Sequence, residues 1–265
     1  MGGNDMSHGE VGPDEQIENR IRVLSRRSFL RGAFAVGIGL VGWRWLDHQR
    51  TMDGIPWPFR VALETNEQLA RDYFSRTRLA PEFPQERVST PMQNGDIGLG
   101  DDFDPDRWKL QVTGLAESDQ PRAFTLDDIR SLPPVEMITE LKCIEGWSVV
   151  VRWEGARLAD FIKKYPPARI EDDHNGRLPG YVGIETPDSG YYVGLDMDSA
   201  LHPQTLLCYA MNGRPLQPEH GAPLRLAIPV KYGIKNIKRI GTIRFTDERP
   251  KDYWAEQGYD WYAGH

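Results

Sequence analysis

Cysteine is scarce in this sequence: its 265 residues include only two, Cys143 and Cys208. Two cysteines exclude a framework of several disulfide bonds and a ligand set for an iron–sulfur cluster. One bridge between Cys143 and Cys208 stays open as an alternative, because such a bond is plausible outside the cytoplasm. Lone cysteines are commonly buried core residues, so a purely structural role also stays open for each.

Basic charge and long apolar runs are scarce as well. The chain has 32 basic and 39 acidic residues, a net charge of -7, so it offers no broad basic surface and nucleic acid is not an expected partner. The apolar run 32–43 has 12 residues, which is too short to span a bilayer by itself. No repeat of 20–50 residues and no regular alternation of strand and helix patterns is visible, which argues against a solenoid and a Rossmann sheet.

The N-terminal segment carries an arginine pair, Arg26-Arg27, shortly before the glycine-rich apolar run 32–43. This order of regions is similar to a twin-arginine (Tat) export signal, so we expect transport by the Tat machinery to the periplasm or the outer face of the cytoplasmic membrane. A buried N-terminal helix with a chance arginine pair is the alternative. Trp43 and Trp45 follow where a cleavage site is usual, which favours a leader retained as an anchor.

We divide the chain into three parts. Residues 1–50 are the leader or anchor. Residues 51–92 are rich in proline and charge and are interpreted as a wrapping arm or linker around one predicted helix. Residues 93–265 form the main domain.

Hydrophobic alternation, short apolar runs and turn signals predict about eight strands, mostly joined as hairpins, and three or four short helices. The class is therefore α+β with mixed, largely antiparallel sheets. The predicted strands are 108–112, 135–141, 149–151, 181–185, 191–195, 206–211, 224–230 and 239–246. The predicted helices are 59–74, a short helix capped by Thr125 with Asp128 three residues later, and 158–165.

Two stretches could carry chemistry. Cys143 lies between two predicted strands, followed by Gly146, and a thiolate is a soft, strongly donating metal ligand. Residues 220–239 alternate cations with apolar residues around glycines, which suits a phosphate or another dianion; an exposed basic face is the alternative. The loop 94–102 contains three glycines, which favours a surface turn cluster; a backbone wall against a bulky ligand is the alternative.

These stretches together resemble the sulfite oxidase-type molybdopterin-dependent oxidoreductases, near the branch that contains the periplasmic methionine sulfoxide reductase catalytic subunit. The resemblance runs from about residue 93 to the C-terminus. The motifs that carry it are LKCIEGW at 141–147, NGRPL at 212–216, HGAPLR at 220–225, KYGIKNIK at 231–238 and DWY at 260–262.

The resemblance implies an α+β fold around mixed sheets and a Mo-molybdopterin cofactor. In this family the dithiolene of one molybdopterin and one cysteine thiolate bind the metal, and the motif gives the thiolate role to Cys143. Residues 93–265 would be the molybdopterin-binding catalytic domain. The resemblance also implies that the following residues surround the pterin and its phosphate: Asn94, Thr186, His220, Arg225, Lys235, Asn236, Ile237 and Lys238.

One departure from the family pattern concerns the substrate. Where sulfite oxidases continue from the cysteine into a Gly-Asn-Arg-Arg run, this chain has residues 145–148, Glu-Gly-Trp-Ser. A carboxylate there would repel sulfite unless Arg152 or Arg157 reaches the site. We therefore expect oxygen-atom transfer at a sulfur or nitrogen centre of a small molecule, as in a sulfoxide reductase. The alternatives are sulfite dehydrogenase-like oxidation and a non-catalytic exported scaffold with a structural Cys143.

The sequence contains no Cys-x-x-Cys-His motif for haem. Electrons would therefore come from outside, from a membrane cytochrome b or a soluble cytochrome c. The sequence ends soon after Tyr262, so we expect the catalytic unit to be a monomer without the family's C-terminal dimerisation domain.

Overall fold

The computed structural model describes residues 36–52, 55–93, 95–100, 102–170 and 176–265. The arginine pair of the leader and Asn94 lie outside the described residues. The chain divides into two compact units, one of residues 1–52 with 56–58 and one of residues 53–55 with 59–265. The predicted boundary between residues 92 and 93 stays a prediction.

Residues 36–47 of the first unit are helical, and we call this helix α1. Its apolar side chains are largely exposed, among them Val41, Trp43 and Trp45. Among the described residues, no helix combines the length and the apolar character needed to cross a membrane.

The described elements that follow agree in type with most of the predicted ones. The strands are β1 Thr51–Met52, β2 Ile55–Pro56, β3 Leu110–Thr113, β4 Arg122–Phe124, β5 Pro134–Lys142, β6 Ser148–Arg157, β7 Tyr181–Glu185, β8 Tyr192–Asp196, β9 Leu206–Met211, β10 Arg214–Pro215, β11 Arg225–Ala227 and β12 Thr242–Thr246. The helices are α2 Trp57–Tyr73, α3 Leu126–Arg130, α4 Leu158–Lys164, α5 Met197–Ala200 and α6 Tyr253–Glu256, with 3₁₀ turns at Gln85–Arg87, Pro218–His220 and Gly233–Lys235.

Two five-stranded sheets form the second unit. The first has the order β10-β9-β6-β5, with β11 also paired to β9, and the second has the order β4-β3-β12-β7-β8. Within these two sheets β12 pairs with β3 in parallel, and the other neighbours are antiparallel. The predicted class, α+β with mixed and largely antiparallel sheets, is confirmed.

The longest hairpin joins β5 to β6 and presents the predicted metal ligand. Its register runs from Pro134 opposite Ala156 to Lys142 opposite Ser148, so residues 143–147 form the tip. The side of this hairpin that includes Met137, Val151 and Trp153 packs into a cluster of buried residues with β9. Since one face of the hairpin is buried, its register is well specified and the tip is held at a defined place.

Local signals account for one short helix. The Thr125 hydroxyl accepts the Asp128 N–H at 3.2 Å, and the Asp128 carboxylate accepts the Thr125 N–H at 2.7 Å. This reciprocal capping box was predicted from the spacing of the two residues and is confirmed.

Two predicted strands are shorter than expected. The predicted strand 224–230 is reduced to β11, since Pro229 has no N–H for a ladder and the Ile228 N–H binds the Asn236 side chain instead. The predicted strand 239–246 begins only at Thr242, because Arg239 has a φ of 47°, in the left-handed region that no strand uses.

Candidate active site

The tip of the β5–β6 hairpin is a tight turn around Cys143. The Cys143 N–H donates to the Trp147 carbonyl at 2.9 Å, and the Gly146 N–H donates to the Cys143 carbonyl at 3.2 Å. Gly146 has a φ of 91°, which a residue without a Cβ adopts at little cost. Cys143 is 7% exposed and lines a cavity, so the turn aims the sulfur inward.

This cavity has a volume of about 490 Å³. Five chain segments line it: Met92 with residues 95–97, the hairpin tip with Leu141, Tyr191, the stretch from Arg225 to Lys238, and the pair Trp254 and Tyr259. It therefore joins the two stretches that the sequence singled out, although they lie on different elements.

Arg225 forms the cationic end of the cavity. It is 3% exposed, and its guanidinium donates to the carbonyls of His220 and Asn236, each at 3.1 Å. Among the residues that the structure describes, no carboxylate lies within 4.0 Å of this guanidinium. Burial lowers the pKa of Arg225 to about 10. A buried cation without a counter-charge is costly, so this end of the cavity is suited to an anionic ligand.

Lys238 and His220 extend the positive charge. The Lys238 ammonium donates to the Gly95 carbonyl at 2.9 Å, and burial, followed by repulsion from Arg225, lowers its pKa to about 8. Burial and the two neighbouring cations also lower the pKa of His220. The three groups are close enough to repel one another, and a dianion such as a phosphate would relieve that repulsion.

The two cysteines have different surroundings. Burial raises the pKa of the Cys143 thiol, with the Glu145 carboxylate raising it further, while the Glu145 N–H hydrogen bond lowers it. Cys208 is fully buried on β9, and burial raises its pKa to about 11. In the described part of the chain, which includes both cysteines, neither forms a disulfide. Metal binding deprotonates a thiol, and only Cys143 faces a cavity that could hold the metal.

The glycine-rich loop contributes backbone to the cavity wall at Gly95, Asp96 and Ile97. Gly98 has a φ of 77°, and a Cβ there would overlap Thr186 Cγ2 and lie 2.8 Å from its hydroxyl oxygen. The loop is therefore packed directly on Thr186. The structure supports the backbone-wall interpretation of this loop over the surface turn cluster.

A larger cavity, of about 630 Å³, borders the same loop at Gly98 and Gly100. Its charged residues are balanced, with three basic and three acidic side chains: Arg107, Lys109, Arg239, Asp102, Asp104 and Asp188. It contains no thiol, whereas the smaller cavity combines the Cys143 thiol with Arg225, a buried cation that has no carboxylate partner among the described residues. We place the candidate active site in the smaller cavity because its chemistry, not its size, fits a metal and a phosphate.

The structure brings four of the nine predicted site residues to the cavity: Cys143, Arg225, Asn236 and Lys238. His220 lies beside Arg225 and Lys238 without lining it.

Three predicted residues have side chains that lie elsewhere. Thr186 is 1% exposed, and its hydroxyl donates to Asp188 at 2.6 Å. Ile237 is packed in the main core. The Lys235 ammonium forms a buried ion pair with Asp252 at 2.5 Å, so its side chain lies in the core and not around the pterin, where the resemblance placed it. The reason is that Lys235 ends a 3₁₀ turn, which directs it to the core.

Sequence reasoning missed the aromatic side of the cavity, which is formed by Tyr191, Trp254 and Tyr259. The Tyr191 hydroxyl donates to the Ile234 carbonyl at 2.5 Å, and burial raises the pKa of this phenol far above its usual range. The only sequence signal was the density of aromatic residues in the stretch 253–262. Nothing in the sequence joins that stretch to Tyr191.

The mouth of the cavity carries a carboxylate. The Trp147 indole N–H donates to Glu145 at 3.0 Å, and both residues line the cavity. Arg152 binds Glu136 at 2.5 Å, and Arg157 donates to the Pro203 carbonyl at 3.2 Å. Neither arginine lines the cavity, so neither supplies the positive charge that sulfite binding would need at this point.

Comparison with known proteins gives one family match. The family model described as "Oxidoreductase molybdopterin binding domain" matches residues 98–254. These residues include all of the residues that line the cavity except Met92, residues 95–97 and Tyr259.

The chain is also similar to individual relatives. It is 30% identical over 285 residues to the protein-methionine-sulfoxide reductase catalytic subunit MsrP of Ralstonia nicotianae, covering 98% of this chain and 80% of that protein. It is 33% identical over 195 residues to the uncharacterized oxidoreductase YuiH of Bacillus subtilis, covering 71% and 92%. A solved structure, the sulfane dehydrogenase SoxCD from Paracoccus pantotrophus, is similar with a TM-score of 0.49 and 18% identity, covering 66% of this chain and 46% of that one.

Proposed function

The chain belongs to the sulfite oxidase-type oxidoreductases with a molybdopterin binding domain, and from that premise we propose that it is the catalytic unit of an exported sulfoxide reductase. It is an oxidoreductase enzyme, and its cofactor is Mo-molybdopterin. The alternative of a non-catalytic scaffold is therefore set aside.

The observation that carries the proposal is the single cavity that connects Cys143 to Arg225 and Lys238. Cys143 is the soft donor that would bind molybdenum. Arg225, buried without a carboxylate partner among the described residues, together with Lys238, would hold the phosphate of the pterin. Residues 95–97 provide the backbone wall. The residues present thus fit the cofactor at both of its ends.

When bound, the cofactor supplies the two-electron chemistry of oxygen-atom transfer, and the protein supplies binding, orientation and electrostatics. The net reaction takes a sulfoxide, two protons and two electrons to a sulfide and water. Tyr191 keeps its proton at any physiological pH because burial raises its pKa, so its hydroxyl donates to the Ile234 carbonyl and does not act as a base.

The mouth of the cavity supports a neutral substrate. Glu145 places a carboxylate there, while the exposed apolar side chains of Met92 and Ile97 and the rings of Trp147 and Trp254 offer apolar surface. A methyl sulfoxide combines a neutral polar S=O group with an apolar methyl group and suits this lining. Relatives named protein-methionine-sulfoxide reductase support methionine sulfoxide as the substrate.

The electron donor and the cellular location of the protein are part of the same proposal. The relatives are named as a catalytic subunit, which supports a separate electron-donating partner, a membrane cytochrome b or a soluble cytochrome c. The arginine pair at 26–27 supports Tat export, and the exposed apolar surface of α1 supports retention at the outer face of the cytoplasmic membrane. Replacing Arg26 and Arg27 with lysine should leave the protein in the cytoplasm, as cell fractionation would show; unchanged export would refute this part.

The test of the activity uses protein purified from a host that makes the cofactor. We expect molybdenum bound near one per chain, reduction of methionine sulfoxide and dimethyl sulfoxide with reduced viologen, and little oxidation of sulfite with ferricyanide. Protein that contains molybdenum but oxidises sulfite faster than it reduces any sulfoxide would contradict the proposed direction and substrate.

A further inference from the structure

Lys235 belongs to a motif of the cofactor cavity, yet its side chain serves the core. It is fully buried, and its ammonium donates to Asp252 Oδ2 at 2.5 Å and to the Gly194 carbonyl at 2.9 Å. The Trp261 ring lies 4.5 Å from the ammonium. All of these contacts hold the 3₁₀ turn Gly233–Lys235 against other elements.

Asp252 is equally occupied. Its Oδ2 also accepts the Gly194 N–H at 3.1 Å, and its Oδ1 accepts the Ala255 N–H at 3.1 Å as the N-cap of α6. One buried carboxylate therefore ties together β8, the 3₁₀ turn that carries Lys235, and α6.

These elements carry one side of the active-site cavity. The 3₁₀ turn contributes Gly233 and Ile234, α6 contributes Trp254, and Tyr191 immediately precedes β8. The Tyr191 hydroxyl donates to the Ile234 carbonyl, and the Tyr191 ring packs against Tyr253 of α6 with the ring centroids 5.3 Å apart. These contacts near the cavity surface thus join the same elements that the ion pair joins beneath it.

We propose that the buried Lys235–Asp252 pair is a positioning device that fixes the aromatic side of the cavity, Tyr191 and Trp254, relative to Cys143, and thereby determines how a bulky sulfoxide is held. The inference rests on the proposed function of the cavity. Stability alone does not explain the pair, because apolar residues of similar volume are often as stable in a buried position. The geometry of the pair does explain it, because three elements that carry residues of the cavity meet at the Asp252 carboxylate.

The test compares two substrates of different size. The variant Lys235→Met/Asp252→Asn removes both charges together, so that no unpaired charge is left buried, and keeps an acceptor for the Ala255 N–H. We expect its KM for N-acetyl-methionine sulfoxide amide to rise about tenfold or more, in line with the cost of a small misplacement near a reacting centre. Its kcat, its molybdenum content and its KM for dimethyl sulfoxide should change much less, since the small substrate does not need the aromatic wall.

Asp252→Glu is the second variant, because it keeps both charges while displacing the carboxylate by one methylene, and it should show the same selective rise in KM. Asp247→Asn, which removes the partner of Arg177 in an exposed ion pair, is the control and should leave both KM values unchanged. A fall in melting temperature with both KM values unchanged would overturn the positioning role. If instead Cys143→Ser retained full molybdenum and activity, the proposed function itself would fail, whatever these variants show.

Discussion

The most informative stability prediction concerns the contact between Gly98 and Thr186. Thr186 is buried, and its hydroxyl is held by Asp188 and by the Tyr191 N–H, so it cannot turn away from a new methyl group at no cost. Gly98→Ala would place a Cβ against Thr186 while keeping a φ of 77°. The left-handed conformation costs an L-residue about 1–2 kcal/mol, and overpacking adds about 1–3 kcal/mol.

Gly95→Ala is the matched control. Gly95 belongs to the same loop and has a φ of 62°, but nothing lies within 4 Å of its added Cβ. It should therefore carry only the backbone cost, about 1–2 kcal/mol. A shift of about 2–4 °C per kcal/mol for a domain of this size means that Gly98→Ala should melt about 2–12 °C below Gly95→Ala.

The assay is thermal unfolding of the two variants, together with molybdenum content. Because the loop 95–97 walls the cavity, Gly98→Ala should also bind less molybdenum than the wild type. Gly98→Ala/Thr186→Ser removes the nearest of the three Thr186 atoms that the new Cβ meets and should recover part of the lost melting temperature. Equal melting temperatures for Gly95→Ala and Gly98→Ala would refute the packing of this loop on Thr186.

The electrostatics and the helix caps lead to four further predictions. Because the pKa of Lys238 is about 8, uptake of the cofactor by the apo protein should weaken as pH rises above about 8. Lys238→Arg stays charged, so its uptake should depend less on pH. Uptake by the wild type that does not change with pH would contradict phosphate binding by Lys238. The Lys238 side chain keeps its proton to a higher pH in the unfolded chain than in the folded one. The free energy of unfolding of the apo protein should therefore rise as pH increases from about 8 to 10.5, as urea titrations can measure. Glu145→Gln should strengthen inhibition by sulfite about fivefold, the effect of one charge interaction near 1 kcal/mol. The exposed Glu248→Gln is the control and should not change the inhibition constant. Equal inhibition constants for Glu145→Gln and the wild type would contradict a repulsive carboxylate at the mouth of the cavity. Thr125→Ala should lower the free energy of unfolding by about 1 kcal/mol with activity intact, and no loss in urea titrations would contradict the role of the capping box.

Much of the fold could be predicted because its signals are local. The turn residues 187–190 beside β7 and the continuous apolar run of β9 predicted the bounds of these strands directly, and the spacing of Thr125 and Asp128 predicted the cap of α3. Both kinds of signal come from side chains that are only a few residues apart in the chain. The predicted hairpin on either side of Cys143 was recognisable for the same reason.

The parts that could not be predicted depend on partners far apart in the chain. The direction of Lys235 is determined by Asp252, 17 residues later. The aromatic wall joins Tyr191 to Trp254, which periodicity cannot pair. Arg239 looked like the start of a strand by its neighbours, and only its backbone conformation shows otherwise. The family resemblance supplied the cavity's position but not the orientation of each side chain.

The central claim is that Cys143 binds molybdenum, and X-ray absorption at the molybdenum edge tests it most directly. Cys208→Ser is the matched control, because that thiol is also buried but lies away from the cavity. We expect molybdenum in Cys143→Ser to have one sulfur ligand fewer than in the wild type, and molybdenum in Cys208→Ser to keep the full number. The same sulfur count in Cys143→Ser as in the wild type would contradict it.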